Sequence, residues 1–182
     1  MSTHEFVLNR DCRATLVPAG DDIILEKDTT VKVTQALGGT VTISTPMGLF
    51  RVNAGNLDAL GPEAVKLYGL KKSSETPAAF SEELVWEALR ECYDPEIPLN
   101  IVELGLIYDL AVEAQSNGKN KIFVKMTLTA PGCGMGPVIA NDAKMRIEAL
   151  PDVQSAEIVI VWDPVWNPNM ISPDGRKQLG LE

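Results

Sequence analysis

A single cysteine, Cys133, stands at the centre of the run Thr-Leu-Thr-Ala-Pro-Gly-Cys-Gly-Met-Gly-Pro over residues 127–137. Ahead of it, Lys121 to Thr129 alternates, with Ile122, Val124, Met126 and Leu128 on one face and Phe123, Lys125 and Thr127 on the other, the period-two pattern of a half-buried strand. Behind it, Gly136-Pro137 puts a proline where a first helical turn tolerates one. Ile139, Ala143, Ile147 and Leu150 then recur at spacings of three and four, the stripe of a helix lying on a sheet. Cys133 therefore falls between a strand end and a helix start. Unpaired N–H groups and the positive end of the helix dipole favour an anion there, so a thiol ionises more readily than in a free cysteine. The thiolate is the form that ligates metal or attacks an electrophile. Gly132, Gly134 and Gly136 permit positive φ and remove side-chain bulk, so a loop of Thr129, Pro131, Gly132 and Gly134 can wrap main-chain amides around a sulfide or thiolate. The same residues also fit a plainer reading, in which Cys133 is a small buried hydrophobe in a tight turn.

A second polar cluster lies in Tyr-Asp-Pro-Glu-Ile-Pro-Leu-Asn over residues 93–100, where two prolines fix an extended loop. Asp94 and Glu96 there suit a hard-metal or acid–base pair, and suit equally a turn-capping Asp94 beside a solvated Glu96. Of the other cysteines, Cys92 falls on the apolar side of a helix and reads as core. Cys12 lies between Asp11 and Arg13, where an adjacent cation lowers a thiol pKa, or serves as packing at a strand edge.

The elements that must position these residues divide into two groups. Met1 to Phe6 reads as a loose end. Ala14–Val17, Ile23–Leu25, Thr30–Thr34, Val41–Ser44 and Leu49–Val52 are short β-like runs separated by glycine- and proline-rich punctuation, the pattern of a small all-β barrel or sandwich. Asn53–Leu60 is a helical turn that Gly61-Pro62 ends, giving a β-rich domain over 1–72. Residues 73–80 form a linker without apolar periodicity. The second domain, 81–182, opens with Ser81 as N-cap of an amphipathic helix carrying Leu84, Val85, Ala88 and Leu89. A strand over Ile101–Val112, an Asn117-Gly118 hairpin, the strand before Cys133, the helix after it and a last strand over Ala156–Trp162 follow. That last strand is apolar on both faces and is expected at the sheet centre. The order helix-strand-strand-helix-strand predicts an α+β fold, a two-layer sandwich with its helices on one face of three strands. The tail after Asp163, with Trp166 and Met170 in proline-fixed extended chain, is too apolar to be a disordered end. It is expected to cover the Cys133 loop or a subunit partner.

Composition limits the classes available. The chain has 182 residues, 45% of them hydrophobic and 23% charged, with no run long enough to span a membrane and no basic start leading into an apolar stretch. A cytoplasmic protein without membrane contact is expected. Its 3 cysteines are widely spaced and form no CxxC, so neither a disulfide framework nor a closed zinc site is written in the sequence. Residues 1–72 are balanced in charge, and the whole surplus of −9 falls in 73–182. Without a basic stripe, nucleic-acid binding is not expected; the acidic half suits a basic protein partner or simply keeps the domain in solution.

Four motifs in order, Asp94-Pro-Glu-Ile-Pro98, Asn100-Ile-Val-Glu-Leu-Gly-Leu-Ile-Tyr108, Thr127-Leu-Thr-Ala-Pro-Gly-Cys133 and Trp162-Asp-Pro-Val-Trp166, resemble the metal-sulfur cluster assembly domain shared by SufT, PaaD and the eukaryotic cytosolic iron-sulfur targeting factors. Arg10-Asp-Cys-Arg-Ala-Thr-Leu-Val-Pro-Ala-Gly20 and the segment from Gly38 to Val52 resemble the extra N-terminal domain of bacterial SufT proteins. The resemblance implies iron-sulfur protein maturation, with the family's reactive cysteine at Cys133 and its acidic motif at Asp94 and Glu96. Where relatives often carry proline after the cysteine, this chain has Gly134.

One well-placed thiol does not supply the four that an iron-sulfur cluster usually takes. The expected mode is therefore a non-enzymatic carrier: Cys133, alone or with its copy in a homodimer, ligates iron or a cluster transiently and shares it with the assembly machinery or a client apoprotein, while Trp162, Trp166 and Met170 dock partners. The alternative is a metal-free adaptor between the machinery and its clients. A cysteine hydrolase would need a base, and His4, the one histidine, lies in the N-terminal end.

Overall fold

The computed structural model describes residues 4–69, 79–132 and 134–181, and the chain separates into two compact units, one ending at Ser73 and the other beginning at Ser74. The first unit carries strands β1 (Glu5–Val7), β2 (Cys12–Val17), β3 (Asp22–Leu25), β4 (Thr30–Leu37), β5 (Thr40–Thr45) and β6 (Gly48–Val52). They form one antiparallel sheet in the order β1-β4-β5-β6-β2-β3. The expected loose N-terminus is in part the edge strand β1, whose Phe6 sits opposite Val31. A three-residue strand is too short to show a period in the sequence. A 3-10 turn over Ala54–Leu60 then packs Leu57, Ala59 and Leu60 into the core around Phe50, Ile43 and Leu25. Gly61-Pro62 does not only end that turn: Pro62 also stands in the first turn of helix α1 (Pro62–Tyr68), where its missing N–H costs nothing.

The Arg10-Asp-Cys-Arg run serves this unit's structure. Arg10 grips the Asp58 carboxylate with Nε and Nη2 at 2.9 and 2.6 Å, which ties the start of β2 to the 3-10 turn. Asp11 accepts the Lys27 N–H at 2.9 Å, and Arg13 pairs with Asp22 at 2.6 Å. Cys12 is fully buried. Burial pushes its thiol up, and Arg10, not Arg13, supplies the weaker opposing pull. Of the two readings of Cys12, burial supports the packing role.

The second unit has helix α2 (Glu82–Arg90), strands β7 (Ile107–Ala114) and β8 (Asn120–Met126), helix α3 (Gly136–Glu148), strand β9 (Val153–Ile160) and helix α4 (Pro173–Leu179). The α+β class read from the sequence is the observed one. Its sheet runs β7-β8-β9, with β7 antiparallel and β9 parallel to β8. Central β8 buries Ile122, Val124 and Met126 and exposes Phe123 and Lys125, as its alternation predicts. Asn117-Gly118 makes the hairpin, with Gly118 at φ +77° and Asn117 Oδ1 accepting from Lys119 N–H at 3.0 Å. Ser81 occupies the N-cap position of α2 without a side-chain cap bond. Val85 and Leu89 of α2 and Ile139, Ala143 and Ile147 of α3 are buried.

Three expectations are corrected. Strand β9 is an edge: its apolar run has one face under α3 and leaves Val159 43% exposed on the other. The strand expected from Ile101 starts only at Ile107, because Asn100 Oδ1 captures the N–H groups of Val102 and Glu103 at 3.1 and 2.8 Å and Gly105 turns at φ +71°. The tail is not wholly extended, since a 3-10 turn at Pro168–Met170 leads into α4. Residues 73–78 of the expected linker lie outside the described residues; Ala79 and Phe80 precede α2 without regular structure. Among the described residues no helix is long and apolar enough to cross a membrane.

Candidate functional site

The loop singled out by the sequence is rooted where β8 and β9 end and β7 begins. Met126 closes β8, and its carbonyl accepts from Val161 N–H, just past β9, at 2.8 Å. Thr127 N–H donates to the Leu106 carbonyl, just ahead of β7, at 2.8 Å. Both flanks thus hold the root rigid before the chain leaves the sheet. Leu128 turns back into the core, Thr129 is half-buried, and Ala130, Pro131 and Gly132 are exposed. Gly132 adopts φ +80° with open space where a Cβ would stand, so backbone conformation and not room requires glycine there. Cys133 itself lies outside the described residues. Beyond it Gly134 is half-buried, Met135 is fully buried and α3 begins at Gly136. A Cβ on Gly136 would lie 2.5 Å from Leu128 Cδ1, so this glycine lets the helix start press onto the loop's own leucine.

Sequence reasoning passed over Thr127, whose hydroxyl is the oddest group at this root. The residue is fully buried, and its Oγ1 has no hydrogen-bond partner among the described residues. A buried hydroxyl without a partner costs about 1–3 kcal/mol, so the position retains a polar group that packing alone does not explain. Only tertiary structure shows this, because the alternation places Thr127 on the strand's polar side.

Asp94 is 6% exposed and caps its own turn, its Oδ1 accepting the N–H groups of Glu96 and Ile97 at 2.8 and 2.9 Å. Its main-chain N–H donates to Leu99, and Tyr93 bridges Asn100, which pinches the loop shut at its base. Glu96 is exposed. These positions match the capping reading of the pair more closely than a shared acid–base site. Among the described residues no three His, Cys, Asp or Glu side chains converge on a metal-sized space.

The tail packs on its own chain. Trp166 Nε1–H donates to the Leu104 carbonyl at 2.7 Å, and Tyr108 O–H donates to the Pro164 carbonyl at 2.7 Å with Met170 Sδ 3.6 Å away. Ser172 is the N-cap of α4, its hydroxyl accepting from Gly175 N–H at 2.9 Å, and it also meets the Glu103 carboxylate. Trp166 and Met170 are half-buried by these contacts, whereas Trp162 is 44% exposed. The tail therefore braces the Leu99–Tyr108 loop, whose end at Leu106 holds Thr127.

Cys12 and Cys92 are both fully buried. A maleimide probe applied to the native protein at neutral pH is expected to leave these two thiols unmodified, with all three labelled in denaturant. Peptide mapping by mass spectrometry reads the result, and native labelling of Cys12 would contradict its burial.

The description "Iron-sulfur cluster assembly protein" belongs to a family model that matches residues 82–159. A "Fe-S protein maturation auxiliary factor" of Porphyromonas gingivalis is 39% identical over 101 residues, covering 56% of this chain and 92% of that protein. The "Fe-S protein maturation auxiliary factor SufT" of Staphylococcus aureus is 39% identical over 88 residues, 48% of this chain and 96% of its own. Among solved structures, a domain of unknown function, DUF59, from Bacillus anthracis is 33% identical, covers 56% of this chain and 92% of that one, and has a TM-score of 0.48.

Proposed function

The chain belongs to the iron-sulfur cluster assembly protein family, and on that premise we propose that it is an auxiliary maturation factor whose Cys133 takes iron or a cluster as cargo and passes it to client apoproteins. The observation that carries this reading is the rigid root of the loop: Thr127 is tied to Leu106 and Met126 to Val161, with a glycine turn at φ +80° immediately before the cysteine. Ala130, Pro131 and Gly132, just ahead of the cysteine, are exposed and within reach of a second protein. Cys12 and Cys92 are buried, so neither presents its thiol to a partner. The remaining ligands come from a second copy in a homodimer, from the donor machinery or from the client. The chain then turns over no substrate of its own, and it works in a reducing cytoplasm where its thiols stay unpaired.

Anaerobic reconstitution with ferrous iron and sulfide tests this. The wild-type protein is expected to gain visible charge-transfer absorption at dimer mass, and Cys133→Ser to remain colourless. An identical chromophore in both would remove Cys133 from the ligand set, and none in either would favour the metal-free adaptor, which the exposed Trp162 would also suit.

A further inference from the structure

The sheet of the second unit leaves an edge open at β9. Among the described residues β8 is the one strand that pairs with it, with Glu157 opposite Phe123 and Val159 opposite Lys125. Along a parallel strand alternate residues turn both main-chain groups to the same side. Glu157 and Val159 face β8, and Ala156, Ile158 and Ile160 face away from it. The Ala156 N–H is taken by Glu148 Oε1 at 3.1 Å. The outward N–H and C=O groups of Ile158 and Ile160 have no partner among the described residues. Beside this edge runs a groove of about 420 Å³, walled on one side by Ala140, Asn141 and Lys144, one turn of α3, and on the other by Ser155 to Ile158.

We propose that this groove receives an extended, net-basic peptide segment of a protein partner, which joins the sheet as a fourth strand between β9 and α3. Only an extended backbone supplies donors and acceptors at the spacing that Ile158 and Ile160 present, and the small Ala140 and Ala156 leave room for its inward side chains. Charge selects the occupant. The surplus of −9 in residues 73–182 attracts a basic strand. Glu157 lines the groove, and Lys144 on its α3 wall lies 3.9 Å from Glu148, which is outside the lining. The inference rests on the proposed function only in that a maturation factor must hold protein partners.

The probe is a capped heptapeptide of alternating lysine and valine, added to the metal-free, isotope-labelled full chain and followed by amide NMR and hydrogen exchange. Saturable protection of the Ile158 and Ile160 amides is expected. N-methylation of the probe at alternate residues should weaken binding by about tenfold or more, as should a glutamate–valine analogue at low salt. Ala140→Trp, which fills the groove from a half-buried helix position, should abolish binding while amide shifts away from the groove stay in place. Protection mapping elsewhere, or equal binding of the N-methylated probe, would overturn the proposal. So would protection of the same amides that grows with protein concentration alone, because a second copy would then hold the edge. Cys133→Ser should bind the peptide like wild type, so loss of metal handling and loss of strand addition are read separately.

Discussion

Gly105→Ala is expected to destabilise the second unit by about 3 kcal/mol or more, lowering its thermal midpoint by about 10–20 °C. Gly105 has φ +71°, and a Cβ there would stand 2.2 Å from the Met170 carbonyl oxygen and 2.9 Å from its carbonyl carbon. Both are main-chain atoms of the tail, so no rotamer change relieves the overlap. Either the Gly105 turn opens or the tail lifts, and lifting it breaks the Trp166–Leu104 and Tyr108–Pro164 bonds together. Gly118→Ala separates the two contributions. Its φ is +77°, but nothing lies within 4 Å of the added Cβ, so only the conformational cost of about 1–2 kcal/mol applies. Thermal or urea unfolding of the two variants side by side decides the matter. Equal losses would mean that the tail is not pressed on Gly105, and the bracing of the Leu99–Tyr108 loop would fall with it.

What the sequence revealed followed from how local each feature is. Strand β8 was legible because it is central and half-buried, so its Ile122, Val124, Met126 alternation records one packed face. The run Ile158 to Val161 misled for the same reason. Its apolar residues suggest two buried faces, yet β9 is an edge strand and Val159 faces outward. Between Ile101 and Leu106 the apolar pattern imitates a strand, but the side chain of Asn100 competes for the next two N–H groups and wins locally. Helix α4 had its signals in place, with Ser172 and Pro173 at the start and Gly180 at φ +69° after the end. A seven-residue helix offers too little periodicity to outweigh the prolines before it. At the candidate site the turn-capping reading of Asp94 was available from its type and place before Pro95. The buried Thr127 hydroxyl, without a partner among the described residues, was not, since burial there depends on elements from elsewhere in the chain.

In cells lacking their own copy of this protein, Cys133→Ser is expected to leave client iron-sulfur enzymes near the activity of the deletion itself, about tenfold or more below the wild-type complement, at equal protein level. Serine keeps the size of the side chain and removes the chemistry. A hydroxyl gives up its proton far less readily than a thiol, and it is a hard, weak donor for iron that thiolate binds well. The comparison variant is Trp166→Phe, which gives up the indole N–H to the Leu104 carbonyl but keeps an aromatic ring in the tail. Losing that bond costs about 1 kcal/mol, too little to empty the folded population, so maturation should remain within about twofold of wild type. If the reverse pattern appeared, with Cys133→Ser active and Trp166→Phe inactive, the tail surface would be the working part and the chain would act as an adaptor. Cluster-dependent enzyme activities measured in the same extracts, with iron content of the purified clients, give both readouts at once. Apoprotein accumulation in the Cys133→Ser strain is the result that assigns the thiol to delivery.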